Sequence, residues 1–329
     1  MITGEPRYDL ATAAYDRADG GFDRPRRSVL LCTMRRTGST LLGEALHRAG
    51  GLGCPLEYLH AGFRPRFAAR WGTPDLAGYV RALYRYRTDA TGTLGIKLFW
   101  PDLLAVYAER HPDRVAAYAG TAGPAPAGGG PAGPAPAHRG PAGPASAPAG
   151  PAPVAGEPGG AAAAPDFDRL AELVAELFPN PSYVFLWRRD LLRQAISDCR
   201  AALSGRWRSL DPPTVAQGRA TVDVAQGCAT VDVPQIDRRL VWFTDQRRQW
   251  TAWFAHLGVT PHEVTHEQLV ADYAGTVRRL TARLGGTDPA AAAAPPRLRR
   301  QADAESERLA AWYLATTRGR TPAGGGGDG

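Results

Sequence analysis

Lysine is nearly absent from this chain: Lys97 is the only one, so the formal net charge of +7 rests almost wholly on arginine. That charge favours anionic ligands, but no run of basic residues interleaved with aromatics marks a nucleic-acid surface. Cysteine is scarce too. Cys32, Cys54, Cys199 and Cys228 share no C-x-x-C spacing, and neither a zinc site nor a disulfide framework is indicated. No apolar run reaches the roughly 18 residues of a membrane span, and the first residues lack a basic-then-apolar signal pattern. The expectation is a soluble cytoplasmic protein with no nucleic-acid partner and no stable membrane anchor.

Large side chains are missing from whole stretches. Ala119 to Pro165 is almost entirely Ala, Gly and Pro, has too little apolar surface to offset the entropy of ordering, and is expected to be a disordered insertion. Inside one domain such a tract is tolerable only in a surface loop, where added length costs logarithmically. A second Ala/Pro tract covers Pro289 to Pro296. The nine-residue repeat VAQGRATVD (Val215 to Asp223), VAQGCATVD (Val224 to Asp232) has too few copies for a solenoid and reads as a loop duplication. The expected organisation is a peripheral segment over 1–27, one domain in two parts (28–118 and 166–316) around the insertion at 119–165, and a disordered tail over 317–329.

What is present is clearest between Arg27 and Leu59. An apolar strand-length run, Ser28 to Thr33, gives way to a polar turn with one glycine, Gly38. Leu41, Leu42, Ala45 and Leu46 then fall on one helical face, and Gly50-Gly51 stops the helix. A helix beginning there directs backbone N–H groups and the positive end of its dipole at the turn, which suits a phosphate or sulfate. Arg35, Arg36, Thr37, Ser39 and Thr40 add cations and hydroxyls. The Walker A pattern needs Gly where Thr33 stands and Lys where Ser39 stands, which argues against a nucleotide-hydrolysing loop.

Further along, aromatic-rich helical spacing covers Tyr58 to Arg87 and a strand end covers Gly95 to Trp100. Short helices are predicted at Leu103 to Arg110 and Asp168 to Phe178. Tyr183 to Trp187 is a buried strand ending in Arg188, and a helix follows from Leu191 to about Leu203, so strand, turn and helix recur. Asp237 to Leu257 reads as a long helix, Val259 to Thr265 as a strand, and His266 to Leu284 as another helix. Strands alternating with helices imply an α/β fold, a P-loop-like parallel sheet flanked by helices with ligands beyond the carboxyl ends of the strands.

The segment RRTGSTLLGEAL resembles the 5′-phosphosulfate loop of bacterial sulfotransferases that use 3′-phosphoadenosine 5′-phosphosulfate (PAPS), the family that includes trehalose 2-sulfotransferase. Gly53-Cys54-Pro55-Leu56-Glu57 matches that family's G-x-P-x-E, whose Glu is the catalytic base. RRDLLRQAIS matches its 3′-phosphate clamp through Arg188 and Ser197, and Arg300-Gln301-Ala302 matches its closing segment near the cofactor.

The resemblance implies a sulfotransferase fold. It implies transfer of a sulfuryl group to a hydroxyl of a carbohydrate, glycolipid or other small-molecule acceptor, with no metal. Glu57 is the implied base, with Arg36 and Lys97 beside it in catalysis. Arg36, Thr37, Gly38, Ser39, Thr40, Arg188, Ser197, Arg300 and Gln301 are the implied cofactor-binding set, and Arg35, Cys54 and Trp100 the acceptor-binding set. Arg35 stands where the trehalose enzymes have Gln and Cys54 where they have Glu, which points away from trehalose itself. His266 replaces a common Tyr and reads as a packed or solvent-side residue. The resemblance leaves a homodimer open. Two other classes stay open, a P-loop kinase-like phosphotransferase and a catalytically idle nucleotide-binding protein.

Overall fold

A computed structural model of the chain describes residues 10–17, 21–112, 165–204, 231–296 and 304–318. Four parallel strands form one sheet in the order β2-β1-β3-β4: β1 Arg27–Thr33, β2 Thr93–Phe99, β3 Pro181–Trp187 and β4 His262–Thr265. The α/β reading holds, with β1 central and paired to β2 and β3 along its length. Central parallel strands are covered on both faces, and successive side chains of β1 alternate between two cores. Val29 and Leu31 pack with Leu42, Leu46, Val277 and Leu280 on one side. Leu30 and Cys32 join the aromatic-rich core on the other, with Tyr58, Phe67, Tyr79, Trp100, Trp250 and Trp253.

The helices that position the site are α1 (Ser39–Arg48), α2 (Arg64–Trp71), α3 (Leu76–Arg87), α4 (Trp100–Arg110), α5 (Phe167–Leu177), α6 (Leu191–Ser204) and α7 (Val233–His256). After β4 come α8 (His266–Ala271), α9 (Tyr273–Arg283), α10 (Pro289–Ala292) and α11 (Ala304–Thr317). No described helix is long and apolar enough to cross a membrane.

Two helical expectations are corrected, and one tract without an expectation is partly helical. The aromatic pattern over 58–87 is two helices, because Gly72 ends α2 in the left-handed region at φ 66° and Asp75 caps α3 through its side chain. The run after His266 is likewise two, divided at Asp272, which closes α8 and caps α9. The second Ala/Pro tract is partly helical: Asp288 caps α10, and Ala292 is fully buried. The insertion at 119–165 (apart from Pro165), the nine-residue repeat up to Ala229-Thr230, Arg300, Gln301 and residues 319–329 lie outside the described residues.

Candidate active site

The turn between β1 and α1 is built from its own hydroxyls. Thr33 Oγ1 donates to the Leu186 carbonyl of β3 at 2.8 Å, and Thr37 Oγ1 donates to the Met34 carbonyl at 2.9 Å. Gly38 takes the left-handed region at φ 89° and offers α1 no side-chain cap, so the helix N-terminus is directed at the turn without a competing carboxylate from its cap residue. Arg36 is also left-handed, at φ 65°, a conformation that costs a non-glycine residue about 1 kcal/mol or more. Its guanidinium Nε donates to Ser197 Oγ of α6 at 2.9 Å, which ties this turn to the helix that follows the second.

Glu57 arrives by a different route. After α1 the chain crosses over β2 so closely that a Cβ on Gly53 would sit 2.1 Å from the Gly95 nitrogen, and one on Gly95 would sit 2.7 Å from the Leu52 carbonyl oxygen. Leu56 then pairs with Ile96 as a parallel bridge, and the Lys97 amide donates to the Leu56 carbonyl at 2.9 Å. The next residue, Glu57, meets the side chain of Lys97: Nζ to Oε1 is 2.7 Å. The same Nζ donates to Thr40 Oγ1 at 3.2 Å. Lys97 is 1% exposed, so one buried ammonium joins the carboxylate to the first turn of α1.

Positive charge is concentrated around the junction. Burial holds the Arg36 guanidinium below its ordinary range; Asp198 opposes this, while Arg188, Arg35 and Arg200 press in the same direction as burial. Arg188 itself is buried at the end of β3. The turn that follows it is occupied by a protein carboxylate: the amides of Arg189 and Asp190 donate to Glu267 of α8. His266, the preceding residue, has its Nδ1 3.1 Å from the Thr37 carbonyl, so of the packed and solvent-side alternatives it takes the packed one and bears on the turn itself.

Of the expected acceptor-side residues, Arg35 is ion-paired to Asp198 at 3.2 Å and its guanidinium carbon lies 4.4 Å from the centre of the Trp242 ring. Cys54 and Trp100 are buried. Cys54 lies beside Arg87, His47 and Tyr58; burial pushes its thiol up, but His47 and Arg87 outweigh this and bring it below the usual range. Trp100 packs edge-on against Trp250 at 4.9 Å in the core.

Four residues near the site escaped the sequence reading. Asp198 and Arg200 follow the recognised Ser197, and the i, i+3, i+4 spacing of Gln194, Ser197 and Asp198 on one helical face could have flagged the first of them. Arg239 pairs with Asp198 at 3.1 Å. Asp102, in the first turn of α4, has an Oδ2 sealed from solvent with no hydrogen-bond partner among the described residues. Burial, and then the nearby Glu57, push its carboxyl up to about 8, with Arg35 opposing. No group of His, Cys, Asp and Glu suited to a metal ion occurs among the described residues.

A family model described as Stf0 sulphotransferase matches residues 28–96 and 161–316. Both turns, Glu57, Arg188 and Ser197 fall inside the matched segments, and most of the Ala/Gly/Pro tract falls between them. Trehalose 2-sulfotransferase of Mycobacterium tuberculosis (strain ATCC 35801 / TMC 107 / Erdman) is 26% identical over 320 residues, covering 89% of this chain and 96% of that protein.

Proposed function

This chain belongs to the Stf0 sulphotransferase family, and on that premise we propose that it transfers a sulfuryl group from PAPS to a hydroxyl of a carbohydrate, glycolipid or other small-molecule acceptor. Glu57 is the general base in this reading. The observation that carries it is the double engagement of Lys97, 2.7 Å from Glu57 Oε1 and 3.2 Å from Thr40 Oγ1. It couples a carboxylate to an anion-binding turn through one buried cation.

The residues fit a donor with phosphate groups at both ends. The N-terminus of α1, with Arg36, Thr37, Gly38, Ser39 and Thr40, suits the 5′-phosphosulfate. Arg188 and Ser197 suit the 3′-phosphate, and their proximity to Arg36 favours one ligand spanning both turns. Arg300 and Gln301 enter this set by resemblance. Arg35 faces the acceptor, with Cys54 and Trp100 contributing as buried packing.

Glu57 takes the proton of the acceptor hydroxyl as the acceptor oxygen bonds to sulfur and the bond from sulfur to the 5′-phosphate oxygen breaks. Lys97, Arg36 and the α1 N–H groups stabilise the negative charge that develops on the leaving phosphate. Lys97 also holds the Glu57 carboxylate in place.

Calorimetry with 3′-phosphoadenosine 5′-phosphate (PAP) tests the donor assignment. Binding in the micromolar range is expected, with AMP, which lacks the 3′-phosphate, far weaker; equal affinity for the two rejects it. Labelled PAPS offered with a panel of sugars and phenols then separates a transferase from an idle nucleotide-binding protein.

A further inference from the structure

Three side chains of α6 hold the first turn from below. Gln194 Nε2 donates to the Arg35 carbonyl at 2.8 Å, Ser197 Oγ accepts from Arg36 Nε at 2.9 Å, and Asp198 Oδ2 accepts from Arg35 Nη2 at 3.2 Å. Asp198 is fully buried and is met from the other side by Arg239 Nε of α7 at 3.1 Å. Trp242, one turn beyond Arg239, lies near both guanidinium groups, with ring-centre distances of 4.4 Å to Arg35 and 5.8 Å to Arg239. A carboxylate taken out of water needs this much compensation from cations. The Arg35-Arg36 backbone needs support as well, because the left-handed Arg36 is not a conformation the turn favours by itself.

We infer that Asp198 is a positioning residue for the anion turn: by fixing the Arg35 guanidinium against α6 it holds the Arg35-Arg36 backbone in the shape that presents Arg36 and the α1 N-terminus to one phosphate or phosphosulfate group. The ligand class rests on the reading given under Proposed function. Positioning and simple electrostatics make opposite predictions. Asp198 is a negative group beside Arg35, Arg36 and Arg239, so if only its charge mattered, removing it would tighten the binding of an anion. If it holds the turn, removing it loosens the binding.

The test compares Asp198→Asn with Arg239→Gln, which breaks the same buried cluster from α7 and leaves the contact between Asp198 and Arg35. PAP affinity is measured by calorimetry, and hydrogen exchange of the Arg36 to Thr40 amides is followed in the ligand-free protein. Asp198→Asn is expected to weaken PAP at least tenfold and to speed exchange of those amides at least tenfold. Arg239→Gln should change both by less than threefold while lowering the melting temperature.

Unchanged or tighter PAP binding by a folded Asp198→Asn protein, or equal losses in the two variants, overturns the inference. If Asp198→Asn fails to fold, Asp198→Glu keeps the charge and displaces the carboxylate by one methylene; wild-type affinity and exchange in that variant also overturn it. Failure of the unmodified protein to bind PAP rejects the functional reading instead, and the exchange measurement, which uses no ligand, still decides the role of Asp198.

Discussion

The Nε of Arg36 donates a 2.9 Å hydrogen bond to Ser197 Oγ, so the first turn and the helix after the second, about 160 residues apart in sequence, share a side-chain contact at the centre of the site. Ser197 is therefore both a candidate phosphate donor and a support for the arginine of the other turn.

Substitution at the second turn reads out on cofactor affinity. Arg188→Ala removes a charge-assisted contact and is expected to cost about 2 to 4 kcal/mol of PAP binding. Ser197→Ala should cost about 1 to 2 kcal/mol, since it loses one neutral donor and frees Arg36. Calorimetry measures both; two variants with unchanged affinity would show that the 3′-phosphate lies elsewhere.

Glu57→Gln keeps the shape of the side chain and removes the proposed base. Turnover on an acceptor found by screening is expected to fall by about 10² to 10⁴, while PAP affinity stays within a few-fold. Near-full turnover would move the base to another residue, with His60, one turn on, the next to test.

The Lys97–Glu57 pair makes a stability prediction that needs no acceptor. Lys97→Met leaves a largely buried carboxylate without its closest cation and should destabilise the fold by about 3 kcal/mol in denaturant titrations. Adding Glu57→Gln to Lys97→Met should restore much of that loss. Additive losses in the double variant would contradict a direct coupling between the two side chains.

Asp102 predicts a pH dependence. Its carboxyl is pushed up to about 8 in the folded chain from an ordinary value of 3.8. Between those values the unfolded chain has released its proton and the folded chain still holds it. This group therefore makes stability fall as pH rises from about 4 to about 8, by up to about 1.4 kcal/mol per pH unit, and adds nothing further once both states are ionised. Asp102→Asn should accordingly match the parent near pH 4 and exceed it in melting temperature near pH 8. A constant difference across that window would show that Asp102 ionises normally.

Replacing 119–165 with a short Gly/Ser linker is expected to leave the melting temperature and PAP affinity nearly unchanged, because the composition provides little to bury. A fall of several degrees on deletion would show that the tract packs against the domain.

Local signals carried much of the fold. The strand, the single-glycine turn and the helix around Gly38 were readable because each depends on neighbours in sequence, and the same is true of β3 and α6. The division of the 58–87 segment was also written locally, in Gly72-Thr73-Pro74-Asp75, but aromatic periodicity on either side masked it. The junctions were not legible. Lys97 meets Glu57 only because Leu56 bridges Ile96 across a crossing forty residues wide, and Asp198 meets Arg239 only because α6 and α7 pack together across an intervening stretch whose composition says nothing about where its ends lie. Asp102 lay just outside the predicted helix and carried no signal, and only burial beside Glu57 changes its chemistry.

The main-chain crossing at Gly53 and Gly95 is only one of the restraints on the segment that carries Glu57. Backbone contact and the Leu56–Ile96 bridge fix it to β2, and from α2 and α3 Phe67 packs on Tyr58, the Tyr79 hydroxyl donates to the Tyr58 carbonyl at 2.7 Å and Arg87 lies against Cys54. A change on those two helices is therefore felt at Tyr58 and Cys54, on either side of Glu57 in the chain, when it falls on Phe67, Tyr79 or Arg87.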